Sequence, residues 1–125
     1  MKTSLALLSL ALCAALSPVH ALDIAPYTPQ VFAAKQQAGE RVSLHFHADW
    51  CTTCRAQDKV FKTFQGDASV PGTLLLVDYD TERELKREMN VRSQATVIVF
   101  NGKTQIHRSG GVTDPQQLRT ALTTR

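Results

Sequence analysis

Two cysteines separated by two residues, Cys51 and Cys54, are the side chains of this sequence best suited to covalent chemistry. A pair this close encloses a very short loop, so it constrains little of the unfolded chain and is a weak structural crosslink. A zinc site needs about four ligands, and the sequence has no second cysteine pair and no His-x-x-x-His run to complete one. Redox exchange between thiols and disulfides is therefore the leading use of this pair.

The position of the pair along the chain supports the same chemistry. Alternating apolar residues predict a strand over residues 41–47, and helical spacing predicts a helix that begins at or near Cys51 and ends before Gly66. The unpaired amides and the positive dipole end of a helix stabilise a thiolate at its first residue. Cys54 lies one turn further, within reach of a mixed disulfide formed on Cys51. We therefore predict that Cys51 is the attacking sulfur and that Cys54 resolves the intermediate.

Caps, turn residues and apolar periodicity predict the other elements, in the order helix, strand, helix, strand, helix, strand, strand, helix. The further helices are predicted to run from Thr28-Pro29 to Gly39, to follow a cap at Asp80 or Thr81 with Glu84 in a capping box, and to open at Asp114-Pro115. The further strands are predicted at 73–77, as an interior strand, and at 96–100 and 105–107, joined by a hairpin at Asn101-Gly102. Helical crossovers imply parallel neighbours, so we expect an α/β fold with a mixed sheet between helices.

The first 21 residues have the pattern of a signal peptide. Lys2 precedes an apolar run from Leu5 to Leu16, which is shorter than the roughly 20 residues of a membrane span, and small residues lead to Ala21. Lipid attachment at Cys13 is the alternative, but bulky Leu12 before it does not suit that processing. We predict cleavage after Ala21, export to the periplasm, and one domain over residues 22–125.

Charge excludes one class of partner. The 125 residues carry 14 basic and 11 acidic side chains, with neither sign concentrated in a long block. Proteins that bind nucleic acid usually show a basic patch or stripe, which this sequence lacks. We therefore expect no nucleic-acid binding.

Around the cysteines, Ala48-Asp49-Trp50-Cys51 resembles the thioredoxin superfamily, and the resemblance extends along essentially the whole chain after the leader. Further matching segments are Val77-Asp78-Tyr79-Asp80 at a strand end, Val91-Arg92 before what the pattern marks as the last parallel strand, Phe100-Asn101-Gly102-Lys103, and Gly111 before the final helix. Within the superfamily the chain looks most like small periplasmic reductases, including the C-terminal domain of the transmembrane thiol-disulfide interchange protein.

This resemblance implies a thioredoxin fold with helices on both faces of a mixed central sheet. It also implies a monomer that reduces disulfides of protein substrates or of cytochrome maturation partners. The periplasm has no reductant pool of its own, so a membrane thiol donor must supply the electrons. No cofactor beyond the Cys51–Cys54 dithiol and no metal is expected.

Ala95 departs from the family, which carries a cis-proline facing the cysteines at this position. We expect a cis Gln94–Ala95 bond, which costs about 2.5–4 kcal/mol and persists only where the fold over-determines it. Without the proline ring, the sulfurs are expected to be more open to large substrates or to an adventitious metal. Alternatively, Ala95 only loosens a loop and leaves the chemistry unchanged.

His45 is the second departure, and His47 follows two residues later on the same face of the strand. The family buries a carboxylate at the position of His45, where an imidazole could relay the proton of the resolving thiol near neutral pH. A histidine satisfied within the core is the alternative. His47 is expected at the rim, where its protonated form could favour the Cys51 thiolate, unless it is a plain surface side chain.

The residues beside the cysteines complete the candidate site. The hydroxyls of Thr52 and Thr53 could each donate to a thiolate and so tune the reduction potential, in a direction that the sequence does not give. Trp50 is expected both to pack beside the cysteines and to contact substrate.

Two other classes of function use the same groove. One is an adaptor or chaperone that binds protein through the surface by Ala95 and Trp50 without electron transfer. The other is a metal-binding protein in which Cys51 and Cys54 hold copper, zinc or a shared cluster.

Overall fold

The computed structural model of the chain describes residues 21–125, and the predicted signal peptide, apart from Ala21, lies outside them. In this part of the chain, five strands and four helices follow one another. They are β1 (Asp23–Pro26), α1 (Pro29–Gln37), β2 (Arg41–His47), α2 (Thr52–Phe64), β3 (Thr73–Asp78), α3 (Arg83–Glu88), β4 (Thr96–Asn101), β5 (Thr104–Gly110) and α4 (Pro115–Thr123). None of the helices among these residues is both long enough and apolar enough to cross a bilayer.

The strands form one mixed sheet, as expected, and their order in it is β1-β3-β2-β4-β5. The first three strands of that order run parallel, whereas β4 is antiparallel to β2 and β5 is antiparallel to β4. The prediction that β4 is a parallel strand is therefore wrong. The register gives the reason: Val77 near the end of β3 and Thr96 at the start of β4 both pair with Phe46. Six-residue α3 does not carry the chain back to the opposite end of the sheet.

Each face of the sheet has its own apolar core. The core beneath α1 and α3 contains Phe32, Val42, Leu44, Phe46, Leu75, Val77, Leu85, Val91, Ile98 and Phe100. The core beneath α2 and α4 contains Leu22, Phe61, Phe64, Val70, Leu74, Val97, Val99, Leu118 and Leu122. Because successive side chains of a strand point to opposite faces, Leu44 and Phe46 face the first core while His45 faces α2. Helices on both faces, as the fold prediction requires, thus cover both sides of β2.

Two local predictions are corrected by the structure. Strand β1 was not predicted, because its four residues end in proline and show no apolar alternation; it pairs with β3 at the edge of the sheet. The cap of α3 is Glu82, which makes no side-chain hydrogen bond to the helix. Asp80 and Thr81 instead donate their backbone amides to the Asp78 carboxylate, at 2.9 and 3.3 Å, so the predicted cap and its capping box do not form.

An ion pair joins the loop after α2 to α4 and gives a prediction in acid. The Asp67 carboxylate accepts hydrogen bonds from the hydroxyl and amide of Ser69 and from Arg119, and these bonds hold the pKa of Asp67 at about 2. A lowered carboxyl pKa stabilises the fold fully above the unfolded value of 3.8. That contribution disappears as the pH falls toward 2.

Urea unfolding of the wild type and of Asp67→Asn at pH 5, 3 and 2 measures this effect. We expect the stability difference between the two proteins to be largest at pH 5 and to shrink toward pH 2. A difference independent of pH would contradict the prediction.

Candidate active site

The two cysteines lie where β2 leads into α2, at the carboxyl end of the parallel strands. Cys51 is the N-cap of α2, and its Sγ accepts a hydrogen bond from the Cys54 amide at 3.1 Å. The two residues form a disulfide with their Cα atoms 5.2 Å apart. Cys51 retains 3% of its surface and Cys54 none, so any partner reaches Cys51 first. This geometry places the helix start at the cysteine pair, as the sequence predicted.

The two threonines between the cysteines make no hydrogen bond to sulfur in this disulfide form, within the described residues. Thr52 Oγ1 instead accepts from the Arg55 guanidinium at 3.4 Å, and Arg55 also donates to the Asp49 carbonyl at 2.8 Å. Arg55 therefore braces the turn before α2. Donation from Thr52 or Thr53 to a thiolate stays a prediction for the reduced form.

Trp50 stands at the edge of the site with 59% of its surface exposed. Its indole Nε1 donates to Asp80 Oδ2 at 2.9 Å, which fixes the ring against the loop after β3. The ring borders a cleft of about 420 Å³ whose other lining residues are His47, Ala48, Asp49, Leu76, Val77, Asp78 and Asp80. An exposed but immobilised tryptophan beside a disulfide is suited to substrate contact.

His45 is completely buried between β2 and α2. Its Nε2 lies 2.8 Å from Gln57 Oε1, its Nδ1 lies 3.6 Å from Asp58 Oδ1, and its ring meets Phe61 edge to face. Burial lowers the pKa of His45 to about 4, although the Gln57 hydrogen bond and the Asp58 charge oppose the shift; nearby His47 adds to it. The imidazole is therefore neutral at pH 7. It is a core histidine whose Nε2 is paired with Gln57 and whose Nδ1 has no hydrogen-bond partner. Proton relay from the thiol stays a proposal.

His47 lies at the end of β2, with 11% of its side chain exposed. Its Nε2 is 2.7 Å from Asp58 Oδ2, but the two atoms do not form a hydrogen bond. Its ring meets His45 edge to face at 5.6 Å. Asp58 therefore lies between the two imidazoles, and His47 is largely covered rather than a plain surface side chain.

Gln57 and Asp58 are site residues that the sequence analysis missed. Gln57 is fully buried, and its amide contacts three different parts of the fold. A signal was available, because residues 54, 57, 61 and 64 follow helical spacing and all four are buried on α2. A pattern defined by apolar residues alone does not include the glutamine of this buried stripe.

The pKa of His45 predicts a pH-dependent stability. In the unfolded chain this histidine titrates near 6.5, so on acidification the unfolded state takes up a proton before the folded state does. Stability is therefore full above pH 6.5 and falls as the pH drops toward 4, with a slope of at most about 1.4 kcal/mol per pH unit from one proton.

Denaturant unfolding between pH 7.5 and 4 measures this slope. We expect His45→Gln to flatten it. Equal slopes in the wild type and His45→Gln would contradict the assignment.

Ala95 packs against the disulfide, in one buried cluster with Ala48, Cys51 and Cys54. The described residues contain no cis peptide bond, so the expected cis Gln94–Ala95 bond is wrong. Ala95 instead has a left-handed backbone with φ of 63°. In this conformation both its amide and its carbonyl form hydrogen bonds. Its amide donates to the Phe46 carbonyl at 2.8 Å, and its own carbonyl accepts from the Gly111 amide at 3.0 Å. The absence of the proline ring does not expose the sulfurs in this form.

The grouping of possible metal ligands bears on the alternative of a metal-binding protein. Within residues 21–125, no three side chains of histidine, cysteine, aspartate or glutamate are grouped so that they could hold an ion.

The sequence of this chain matches a family model and proteins of known sequence. The family model described as Thioredoxin matches residues 23–124. The chain is 33% identical to Thioredoxin of Mycoplasmoides gallisepticum over 72 residues, which cover 57% of this chain and 71% of that protein. It is 31% identical over 101 residues to Protein disulfide isomerase-like 2-3 of Oryza sativa subsp. japonica, covering 76% of this chain. The match covers only 23% of that rice protein, so this chain spans about a quarter of its length.

Solved structures share the architecture. The chain superposes on Trxlp from Edwardsiella tarda EIB202 with a TM-score of 0.75 and 28% identity, covering 81% of this chain and 99% of that one. It also superposes on a Malassezia sympodialis thioredoxin, Mala s 13, with a TM-score of 0.69 and 21% identity, covering 86% and 96%. The second likeness concerns the fold alone.

Proposed function

This chain belongs to the thioredoxin family, and from that premise we propose that it is a periplasmic thiol-disulfide oxidoreductase that mainly reduces the disulfides of other proteins. The observation that carries the proposal is the Cys51–Cys54 disulfide at the first turn of α2. Cys51 caps the helix and keeps the only exposed surface of the pair, whereas Cys54 is enclosed behind it.

The proposed reaction begins with the reduced dithiol. The Cys51 thiolate attacks one sulfur of a substrate disulfide, and the other substrate sulfur leaves as a thiolate and takes up a proton. Cys54 then loses its proton and attacks Cys51 Sγ, which releases the second substrate thiol. Two electrons pass to the substrate, and Cys51 and Cys54 end as a disulfide.

The surroundings of the pair support each step. The Cys54 amide donates to Cys51 Sγ at 3.1 Å, so the same bond stabilises negative charge on that sulfur when it is free. The Phe46 carbonyl lies 3.8 Å from Cys54 Sγ, a distance at which it accepts a weak hydrogen bond from a thiol. The cleft by Trp50, lined by Ala48, Asp49 and Trp50 just before Cys51 in the chain, offers a place for the substrate chain near the pair.

Location and electron supply belong to the proposal as well. The signal peptide pattern of residues 1–21 supports export, and Leu22, next in the chain, is already buried in the core beneath α2 and α4. A membrane thiol donor would return the disulfide to the dithiol. We propose that the protein acts as a monomer, with no cofactor beyond its two cysteines.

Insulin reduction coupled to a thiol donor tests the activity, and equilibration with glutathione buffers tests its direction. We expect the purified mature protein to accelerate insulin precipitation. We also expect a reduction potential well below about −120 mV, the value of a strong oxidant. A potential near that value would overturn the reductase assignment, and absence of any exchange would overturn the oxidoreductase itself.

The alternative functions give different outcomes. A protein adaptor would bind its partner equally well after Cys51→Ser or Cys54→Ser, whereas a metal protein would contain metal and lose it with either change. Mass spectrometry of exported protein tests the targeting prediction, with Leu22 expected at the N-terminus. An acylated Cys13 would contradict it.

A further inference from the structure

A single buried amide connects the disulfide to the surrounding loops. Gln57 lies on α2 one turn after Cys54 and has no exposed surface. Its Nε2 donates to the Ala95 carbonyl at 3.1 Å and to the Val112 carbonyl at 2.8 Å. Its Oε1 lies 2.8 Å from His45 Nε2. The side chain thus joins α2 to β2, to the loop before β4 and to the loop before α4.

The chemistry of these partners fixes the orientation of the amide. Carbonyl oxygens only accept hydrogen bonds, so the nitrogen of Gln57 must face Ala95 and Val112, and its oxygen must face His45. An amide oxygen accepts only, so His45 must carry a proton on Nε2. In the neutral ring, Nδ1 is then without a proton and faces Asp58 at 3.6 Å without a hydrogen bond.

The same amide acts on the backbone that covers the cysteines. Ala95 packs against Cys51 and Cys54, yet it holds a left-handed conformation that costs a non-glycine residue roughly 1–2 kcal/mol. No ring restrains it, so hydrogen bonds must do so. The Gln57 amide is the only side chain among the described residues that bonds the Ala95 carbonyl.

We propose that Gln57 is a positioning residue of the exchange site, which holds Ala95 against the Cys51–Cys54 pair and fixes the His45 proton on Nε2 through one side-chain amide. This inference rests on the proposed exchange activity for its kinetic consequence only. Its structural consequences, at the Ala95 amide and the His45 ring, are measurable in a protein of any function.

The first test replaces Gln57 with methionine, which has a similar unbranched shape and no amide. The lost bond is the one from Gln57 to the Ala95 carbonyl, which holds the residue in place. We therefore expect the bond from the Ala95 amide to the Phe46 carbonyl to open more often, with hydrogen exchange at that amide about tenfold faster. We expect KM for a disulfide-bonded protein substrate to rise several-fold with little change in kcat. Phe64→Leu is the matched control, because it weakens the same buried face of α2 outside the cluster that contains Ala95.

The position of the proton on the His45 ring is a second readout, and a general loss of stability does not change it. In Gln57→Met the acceptor at Nε2 is gone, so we expect nitrogen NMR to show the proton moving to Nδ1, toward Asp58. Gln57→Glu retains an acceptor for His45 but loses the donors to the two carbonyls. It should therefore release the Ala95 carbonyl and accelerate exchange at the Ala95 amide, while the proton stays on His45 Nε2. It also serves if the methionine variant does not fold.

The outcomes distinguish failure of the proposed function from failure of the role assigned to Gln57. If the wild type exchanges no disulfides, the proposed function fails, while amide exchange and the histidine tautomer still decide the role of Gln57. If Ala95 exchanges no faster in the Gln57 variants than in Phe64→Leu of equal stability, Gln57 is ordinary core and the inference is overturned. A His45 proton on Nδ1 in the wild type would overturn it as well.

Discussion

Cys51→Ser reduces insulin no faster than the thiol donor alone. A serine hydroxyl at this position stays protonated at neutral pH and cannot form a disulfide, so neither the first attack nor the mixed intermediate is possible. Cys54 has no accessible surface, whereas Cys51 retains 3%, so Cys54 cannot replace Cys51. Precipitation of insulin followed by light scattering measures the loss, which we expect to be complete.

Cys54→Ser produces a different defect. The Cys51 thiolate can still attack, but no neighbouring thiol releases the product, so the protein accumulates as a mixed disulfide with its substrate. Non-reducing electrophoresis and intact mass measurement detect this covalent species. Thr63→Ser, on the exposed surface of α2, is the matched control and should retain wild-type turnover.

The pair of results assigns the order of the two sulfurs. A mixed disulfide trapped by Cys51→Ser and not by Cys54→Ser would reverse the assignment. Full turnover by either variant would show that exchange occurs without the pair.

The cysteine site is predictable from sequence because its geometry is local. The N-cap of a helix depends on a few neighbouring residues, and a strand followed by Cys-x-x-Cys within an apolar stripe specifies both the helix start and the relation of the two sulfurs. Cys51 indeed caps α2, and Cys54 follows one turn later. The hairpin after β4 is local in the same way, and β4 and β5 pair through Asn101 and Thr104.

The direction of β4 and the presence of β1 depend on distant parts of the chain. Strand β1 forms by pairing with the edge of β3, and the sequence of its four residues gives no sign of that pairing. The direction of β4 depends on how far α3 carries the chain, which the sequence of α3 alone does not give. Strand order and direction are settled by such long-range pairing, so a periodic pattern cannot give them.

The polar residues of the site could not be predicted from the sequence for a different reason. His45 was identified from its place in β2, but its partners Gln57 and Asp58 come from the face of α2 that packs on the sheet. Buried polar groups are placed by the partners that satisfy them, and those partners are known only once the elements are packed. The conformation of Ala95 has the same origin, since three hydrogen bonds from separate elements determine it.

Ala95→Pro destabilises the protein, although the family that this chain resembles carries proline at this position. Proline holds φ near −65° and has no amide hydrogen, whereas Ala95 has φ of 63° and donates to the buried Phe46 carbonyl. Loss of that donor together with the reversal of φ should lower the free energy of unfolding by at least about 3 kcal/mol. Urea unfolding at pH 7 measures the change.

Ala95→Gly is the control, because glycine keeps the amide hydrogen and adopts positive φ without strain, and it should remain within about 1 kcal/mol of the wild type. If Ala95→Pro were as stable as the wild type, the loop before β4 would have to adopt a different backbone conformation from the one described. The contrast between the two variants therefore tests whether this chain restrains the residue opposite its cysteines by hydrogen bonds to Phe46, Gly111 and Gln57 rather than by a ring. Reintroducing the ring alone would then remove one of those bonds without restoring the geometry that a proline-containing loop provides.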